Sequence, residues 1–217
     1  MYTESEGIIL RQTKTANGRR MIEVFSKNYG KIGCGTSINE GGKNKSALAL
    51  RPFTHGKYEL FKNGDNFNIS SAETIDSFFS IGEDVDKYMY ACYVLELTDK
   101  VVLEGQPFAA GFSLLLEFLK VLEDRKKSYK TLVIAYQTKL LDLLGLKASD
   151  GLSADSLNLK INADIIQMLR YLEDHKLSDL RGIALTDENA AVLSNILKVY
   201  FSHHLEVSDL KSEKLIV

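Results

Sequence analysis

Residues 56–61 read Gly-Lys-Tyr-Glu-Leu-Phe, residues 63–65 read Asn-Gly-Asp, and residues 67–72 read Phe-Asn-Ile-Ser-Ser-Ala. The first segment alternates between polar and apolar side chains, which is the pattern of a half-buried β-strand. Asn-Gly between two such segments is a favoured hairpin turn. The sequence therefore predicts an antiparallel hairpin, with Tyr58 facing the core and Phe61 on the opposite face.

Three further segments among the first eighty residues have strand character: Gly7–Gln12, Met21–Ser26 and Lys31–Thr36. Asn28-Tyr29-Gly30 supplies a turn that pairs the last two. Five strands with turn signals at this spacing, and a longer connection between the third and the fourth, are typical of an OB-type barrel. This fold binds single nucleic-acid strands and oligosaccharides. An SH3-like barrel has a similar pattern and stays open as an alternative.

From about residue 82 the apolar residues follow the helical period instead. The first predicted helix ends before Gly105-Gln106-Pro107, and one face of it carries Val85, Tyr88, Met89, Cys92, Leu95, Asp99 and Val102. Further helices are predicted at residues 108–122, 129–144, 164–172 and 186–205, with a polar loop at residues 147–156. The expected fold class is α+β, with an OB-fold nucleic-acid-binding domain at residues 1–80 and a helical domain for protein interactions at residues 81–217.

The two parts of the chain also differ in charge. Residues 1–62 hold eleven Lys and Arg against five Asp and Glu, a net charge of +6, whereas residues 63–217 hold sixteen against twenty-four, a net charge of −8. Because the whole chain has a net charge of −2, any binding of nucleic acid depends on the local excess of cations in the first part.

The candidate nucleic-acid contacts are cations at strand ends and connections of the first part. Gly41-Gly42-Lys43 departs from a P-loop, because Ser37 stands where glycine is needed and Asn44 stands where Ser or Thr is needed. Glycines let backbone amides approach a phosphate, although an exposed, solvated loop is the competing interpretation. The predicted DNA-binding residues are Arg11, Lys14, Arg19, Arg20, Lys31, Lys43, Lys45 and Arg51, and Phe61 is the candidate for base stacking.

No catalytic or metal-binding constellation emerges from the sequence. His203 and His204 are adjacent, so on a helix they point about 100° apart. Cys34 and Cys92 lack CxxC spacing and are expected to be buried thiols in a reducing compartment. The N-terminus is polar and acidic, and no stretch approaches about 18 apolar residues. We therefore expect a cytoplasmic, nucleoid-associated protein that is not an enzyme and has no cofactor, metal, membrane contact or small-molecule substrate.

Short segments along most of the chain resemble the RecO family of bacterial recombination-repair mediators, and their order and spacing carry the resemblance. These segments are Glu6–Leu10, Gly30-Lys31-Ile32, Gly42-Lys43, Lys45-Ser46, Leu50–Phe53, Asp76-Ser77-Phe78, Tyr93–Leu97, Glu104-Gly105-Gln106-Pro107, Leu141–Gly145 and Tyr200–Leu205. Many members of the family carry a four-cysteine zinc ribbon after the Leu-Leu-Gly segment. Residues 146–161 of this chain contain no cysteine, so we expect no structural zinc.

The resemblance implies an OB-fold followed by a helical domain, without enzymatic turnover. It further implies binding to single- and double-stranded DNA and annealing of complementary strands. Such proteins work with RecR to load RecA onto strands covered by single-strand-binding protein, and they bind the acidic C-terminal tail of that protein. Candidate residues for docking this tail are Arg125, Lys126, Lys127 and Lys130. The alternative is an RNA-binding OB-fold module with the helices as a dimerisation scaffold.

Overall fold

The computed structural model describes residues 2–16, 18–38, 45–64, 66–151 and 163–216. By its contacts the chain divides into two compact units. The barrel unit consists of residues 1–83 and 95–112, and the helical unit consists of residues 84–94 and 113–217.

Five strands form a closed barrel: β1 (Tyr2–Lys14), β2 (Arg20–Ser26), β3 (Gly30–Thr36), β4 (His55–Asn63) and β5 (Asn66–Asp76). Their order around the barrel is β1-β2-β3-β5-β4. The β2–β3 and β4–β5 hairpins are antiparallel, which confirms both predicted pairings. The barrel closes through a parallel pairing of β3 with β5 and an antiparallel pairing of β1 with β4. An OB-type barrel, as predicted, describes this arrangement.

Strand β1 is longer than the sequence pattern indicated. The prediction began it at Gly7, whereas the strand begins at Tyr2. Its first half pairs with β4 and its second half pairs with β2, so that one strand serves two neighbours. Glu4 and Glu6 interrupt the apolar pattern of the first half, and for this reason the long-range partner β4, rather than local composition, defines where the strand begins.

Apolar side chains from all five strands fill the barrel. A short helix, α1 (Lys45–Leu48), precedes Ala49 and Leu50, which are both fully buried in this core. The Tyr58 hydroxyl donates to the carbonyl oxygens of Ala49 at 2.9 Å and Thr54 at 3.3 Å. Burial raises the pKa of Tyr58. Tyr58 therefore faces the core as predicted, and its polar end is satisfied by the segment that connects β3 to β4.

The segment at residues 95–112 completes the barrel unit. Lys31 of β3 forms a parallel bridge with Glu104, and the Gly105 N–H donates to the Lys31 carbonyl oxygen at 2.9 Å. The Lys31 ammonium lies 3.3 Å from the Asp99 carboxylate. These contacts cover backbone of β3 that β5 does not pair with, because β5 reaches only Cys34, Gly35 and Thr36.

The helices after α1 are α2 (Val85–Val101), α3 (Ala109–Asp124), α4 (Tyr129–Leu143), α5 (Ala148–Gly151), α6 (Ala163–Asp174) and α7 (Asp187–Leu205), with 3₁₀ turns at Phe79–Glu83, Leu177–Leu180 and Lys211–Leu215. The five longer helices confirm the predicted ones to within a few residues. The Thr186 hydroxyl caps α7 by accepting from the Asn189 N–H at 3.3 Å. Across the described ranges, no helix combines the length and apolarity that crossing a membrane requires.

Two helical predictions need correction. Val85 and Tyr88 do not face a core, since they are 73% and 46% exposed. Helix α2 contributes its first part to the helical unit and its second part to the barrel unit, so a single apolar stripe does not describe it.

The predicted polar loop at residues 147–156 is also partly wrong, because α5 lies within it; residues 152–156 fall outside the described residues. The buried Glu173 carboxylate of α6 accepts from the Ser149 N–H at 3.0 Å and from the Ser149 hydroxyl at 2.5 Å. A carboxylate from another helix thus accepts a hydrogen bond from a backbone N–H in the first turn of α5. The local sequence does not predict this contact.

We predict that Gly30→Ala destabilises the barrel unit in two ways. Gly30 has a φ of +68°, and an added Cβ would lie 1.9 Å from the Gln106 carbonyl oxygen. Gly18→Ala is the matched control, because Gly18 has a φ of +75° with nothing within 4 Å of an added Cβ. The control should lose about 1–2 kcal/mol of unfolding free energy in urea, and Gly30→Ala should lose clearly more. Equal losses would show that the Gln106 contact is unimportant.

We also predict that native Cys34 does not react with thiol reagents. Burial, followed by the charge of Glu23, raises the pKa of the Cys34 thiol to about 12. Its reactive thiolate is therefore scarce at pH 8. In a Cys92→Ser variant, a disulfide reagent at pH 8 should label Cys34 only after urea is added. Rapid labelling of protein with an unchanged circular dichroism spectrum would contradict this burial.

Because the folded pKa is raised above the unfolded value of 9.0, Cys34 also makes stability depend on pH. Below pH 9 the thiol is protonated in both states and the contribution is fully present. It is lost as the pH rises from about 9 towards 12, because only the unfolded state releases the proton in that range.

Candidate nucleic-acid interface

A groove with a volume of about 670 Å³ lies on the barrel, and residues from all five strands line it. Its polar and charged lining consists of cations, hydroxyls and amides, and no Asp or Glu is among the described residues that line it. The lining residues are Tyr2, Arg19, Arg20, Met21, Gly33, Gly35, Thr36, Ser37, Phe61, Asn66, Phe67, Asn68, Ile69 and Ser70.

Strand register organises the groove. Cα partners on neighbouring strands run from Tyr2 to Phe61, from Phe61 to Asn68, from Asn68 to Gly35 and from Gly35 to Met21. We call these five residues the outer row. Four residues that stand directly next to members of this row along the strands are buried in the core, namely Ile22, Cys34, Leu60 and Ile69. Alternation therefore directs the outer row away from the core. The row includes one residue from each of the five strands. Followed from strand to strand around the barrel, at about 4.8 Å a step, it is about 19 Å long.

One end of the outer row is aromatic. The Tyr2 and Phe61 rings lie 5.0 Å apart at an angle of 45°, and Tyr2 is 65% exposed. Exposed aromatic faces are the platforms on which unpaired bases stack. Phe61 lies in the groove beside Tyr2, and its role in base stacking stays a prediction. Sequence reasoning missed Tyr2, because it precedes the apolar part of β1 and only its register with Phe61 reveals it.

The lining of the groove includes two residues without a side chain, Gly33 and Gly35. Gly33 and Gly35 alternate with the buried Ile32 and Cys34, so both glycines are on the outer face. An added Cβ at Gly33 would meet nothing within 4 Å, whereas one at Gly35 would lie 2.7 Å from the Asn68 side-chain oxygen. The backbone of β3 is therefore accessible to a flat ligand at this point.

Two of the predicted cations, Arg19 and Arg20, line the groove, but they differ in role. The Arg20 side chain is nearly buried, and its guanidinium donates to the Ile38 carbonyl oxygen at 2.7 Å and to the Gln12 side chain at 2.9 Å. Arg20 therefore holds the β1–β2 hairpin to the segment after β3. Arg19 is exposed, as is Lys14, the register partner of Arg20. Arg19 is thus the exposed cation in the lining of the groove, whereas Lys14 is exposed but does not line it.

Arg11 and Lys31 belong to an ion cluster instead of the groove. The Lys31 side chain is 18% exposed, and its ammonium contacts both the Asp99 carboxylate, at 3.3 Å, and the Asp99 backbone carbonyl. Arg11 lies 3.1 Å from the Glu23 carboxylate and 3.7 Å from that of Asp99. Because acidic partners within the same unit neutralise them, we leave Arg11 and Lys31 out of the proposed DNA surface.

The remaining predicted cations lie in the connection between β3 and β4. Lys45 begins α1 and Arg51 follows it, and both are exposed without lining the groove. Arg51 begins a turn in which the Thr54 N–H donates to the Arg51 carbonyl oxygen at 3.2 Å. Lys43 and the glycines before it lie outside the described residues.

The four candidate docking residues of the helical unit differ in solvent exposure: Arg125 is buried and the three lysines are exposed. The Arg125 guanidinium donates to the carbonyl oxygens of Lys127, Leu180 and Ile183 at 2.9, 2.9 and 2.5 Å. Burial lowers its pKa. Arg125 thus connects two loops of the unit and presents no free donor face to a partner. Lys126, Lys127 and Lys130 are exposed.

A second groove, of about 510 Å³, lies in the helical unit between α6 and the segment that leads into α7. Asp164 is the one charged residue among its described lining, so it suits an acidic tail poorly. The lining residues are Asp164, Ile165, Gln167, Met168, Tyr171, Leu172, Ile183, Leu185 and Asn189. Among all the residues that the structure describes, no group of three or more His, Cys, Asp or Glu side chains could hold a metal ion.

Comparison with known proteins supports the resemblance noted in the sequence. The family model described as Recombination protein O N terminal matches residues 1–78, and that described as Recombination protein O C terminal matches residues 82–149. A DNA repair protein RecO of Alkaliphilus metalliredigens is 27% identical, with 95% of each chain covered. The RecO of Acetivibrio thermocellus is 25% identical over 94% of this chain and 92% of its own. The chain described here therefore belongs to the RecO family of DNA repair proteins.

Proposed function

We propose that this protein is a DNA-binding recombination mediator of the RecF-pathway type, which anneals complementary strands and acts by binding rather than by catalysis. The observation that carries the DNA-binding part of the proposal is the groove of the barrel unit, with aromatic rings at one end, the exposed Arg19 at the other and no Asp or Glu among the described residues of its lining. Stacking platforms combined with cations are the general features of single-strand binding sites.

Annealing requires two phosphate backbones to approach each other. Exposed positive charge on the barrel unit comes from Arg19 in the groove and from three cations outside its lining, Lys14, Lys45 and Arg51. Such cations release the counterions of both strands and lower the repulsion between them. The barrel therefore holds strands close enough to pair, and its affinity should fall steeply as salt is added.

The proposal extends to protein partners in the cytoplasm, at the nucleoid. Together with RecR, the protein would help to load RecA onto strands covered by single-strand-binding protein. We assign DNA binding to the predicted domain at residues 1–80 and protein interactions to that at residues 81–217. Lys126, Lys127 and Lys130 would attract the acidic tail of the single-strand-binding protein, because they are exposed cations in an acidic half of the chain.

Changing both Lys45 and Arg51 to Ala should weaken DNA binding and flatten its salt dependence. Each lost phosphate contact reduces the slope of log K against log salt by about 0.7 on single strands. The measurement is fluorescence anisotropy between about 50 and 200 mM salt, with a matched RNA oligonucleotide as competitor. Lys126→Ala with Lys127→Ala removes the same charge from the other unit and should leave DNA binding unchanged. Identical behaviour of both double variants would disprove the assignment.

The converse experiment concerns the acidic tail. A synthetic peptide of that tail should bind the full chain by calorimetry, and Lys126→Ala with Lys127→Ala and Lys130→Ala should weaken it about tenfold, since exposed charge pairs contribute about 0.2–1 kcal/mol each. Lys45→Ala with Arg51→Ala is the control and should bind the peptide normally. If the triple variant binds the peptide with wild-type affinity, these lysines are not the docking site of the tail.

A further inference from the structure

We infer that the groove holds a single strand with its bases against the barrel, and that this mode of binding opposes annealing. The inference rests on the proposed function and deepens it, because it assigns two different tasks to the groove and to the cations outside it. The ligand of the groove is a short stretch of unpaired nucleotides.

The lining favours bases over phosphates. Apart from the arginines at one end, the described lining is neutral, with the side-chain amides of Asn66 and Asn68 beside the rings of Tyr2 and Phe61. Amides and hydroxyls donate and accept hydrogen bonds, as base edges do. Phosphates, in contrast, are held mainly by charged groups and backbone amides.

The glycines provide the space that an unpaired base needs. At Gly33 the space above the backbone is empty, and Gly35 has only the side chain of Asn68 close by. A flat ring can therefore enter between the aromatic end and the arginines. The bases of a duplex are paired and stacked, so their faces cannot reach Tyr2 or Phe61 unless they leave the helix.

A base that faces the barrel cannot pair with a complementary strand at the same time. The groove would thus stabilise single strands against pairing over the stretch that it occupies. Lys45 and Arg51 lie outside the groove, and cations of this kind contact backbone and leave bases free. Annealing would therefore proceed on strands held by these cations, after their bases have left the groove.

Gly33→Val tests the inference, because it fills the groove without changing charge. Nothing lies within 4 Å of the added Cβ, and valine is favoured in strands. Gly82→Val is the matched control: Gly82 also has nothing within 4 Å of an added Cβ and does not line the groove. Thermal unfolding of both full-length variants establishes that they are folded.

For Gly33→Val we expect the affinity for a single-stranded oligonucleotide to fall about tenfold or more, while duplex affinity stays as in wild type. A fluorescent adenine analogue in the oligonucleotide should change its emission on binding wild type but not on binding this variant. Annealing at saturating protein should be faster than with wild type. Tyr2→Leu with Phe61→Leu should reproduce the loss of single-strand affinity, because it removes the rings and keeps apolar volume.

Two results would overturn the inference: wild-type single-strand affinity in Gly33→Val, or annealing that slows in proportion to the lost affinity. Both are distinct from failure of the proposed function. If the wild-type protein binds no DNA and anneals no strands, the proposed function itself is wrong. If it binds and anneals but Gly33→Val behaves like Gly82→Val, only the base-inward groove is wrong.

Discussion

Strands β3 and β5 run parallel over three residue pairs, Cys34 with Phe67, Gly35 with Asn68 and Thr36 with Ile69. This short pairing joins the β2–β3 hairpin to the β4–β5 hairpin and closes the barrel. It also places Asn68 beside Gly35, which makes the outer row continuous from Tyr2 to Met21. Closure and the groove thus depend on the same contact, because without it the aromatic end and the cationic end would belong to separate hairpins.

Some cations of the barrel unit form ion pairs inside the unit, and others are exposed to solvent. A count of cations in the sequence does not distinguish the two groups. Lys31 and Asp99 are both largely buried, at 18% and 14% exposure of their side chains. Removing one partner would leave the other charge poorly solvated, so this pair helps to hold residues 95–112 on the barrel. Lys45 and Arg51 are exposed instead, and exposed pairs or single charges contribute little to stability. These exposed cations are therefore available for ligands.

Local pattern was sufficient for much of the fold. The two hairpins followed from alternation and turn residues, and α7 followed from its helical period. Local pattern did not predict three features: the start of β1, the helix at residues 148–151 and the position of residues 95–112 in the barrel unit. Each of these depends on a partner far away in the chain: β4, Glu173 and Lys31. Arg19, Arg20 and Phe61 were predicted as site residues from their types, but the groove that all three line depends on register across five strands.

Strand β3 contains more glycine than the rules of strand formation favour. Glycine weakens a strand because it loses more backbone entropy on folding and has no side chain to pack, yet β3 carries Gly30, Gly33 and Gly35. Gly30 is required by its positive φ and by the approach of Gln106, so its reason is structural. At Gly33 the backbone needs no glycine, and there is room for a side chain. A glycine here weakens the strand without a structural need, on the face that also carries Tyr2 and Phe61, and this is what the proposed base-binding groove would require.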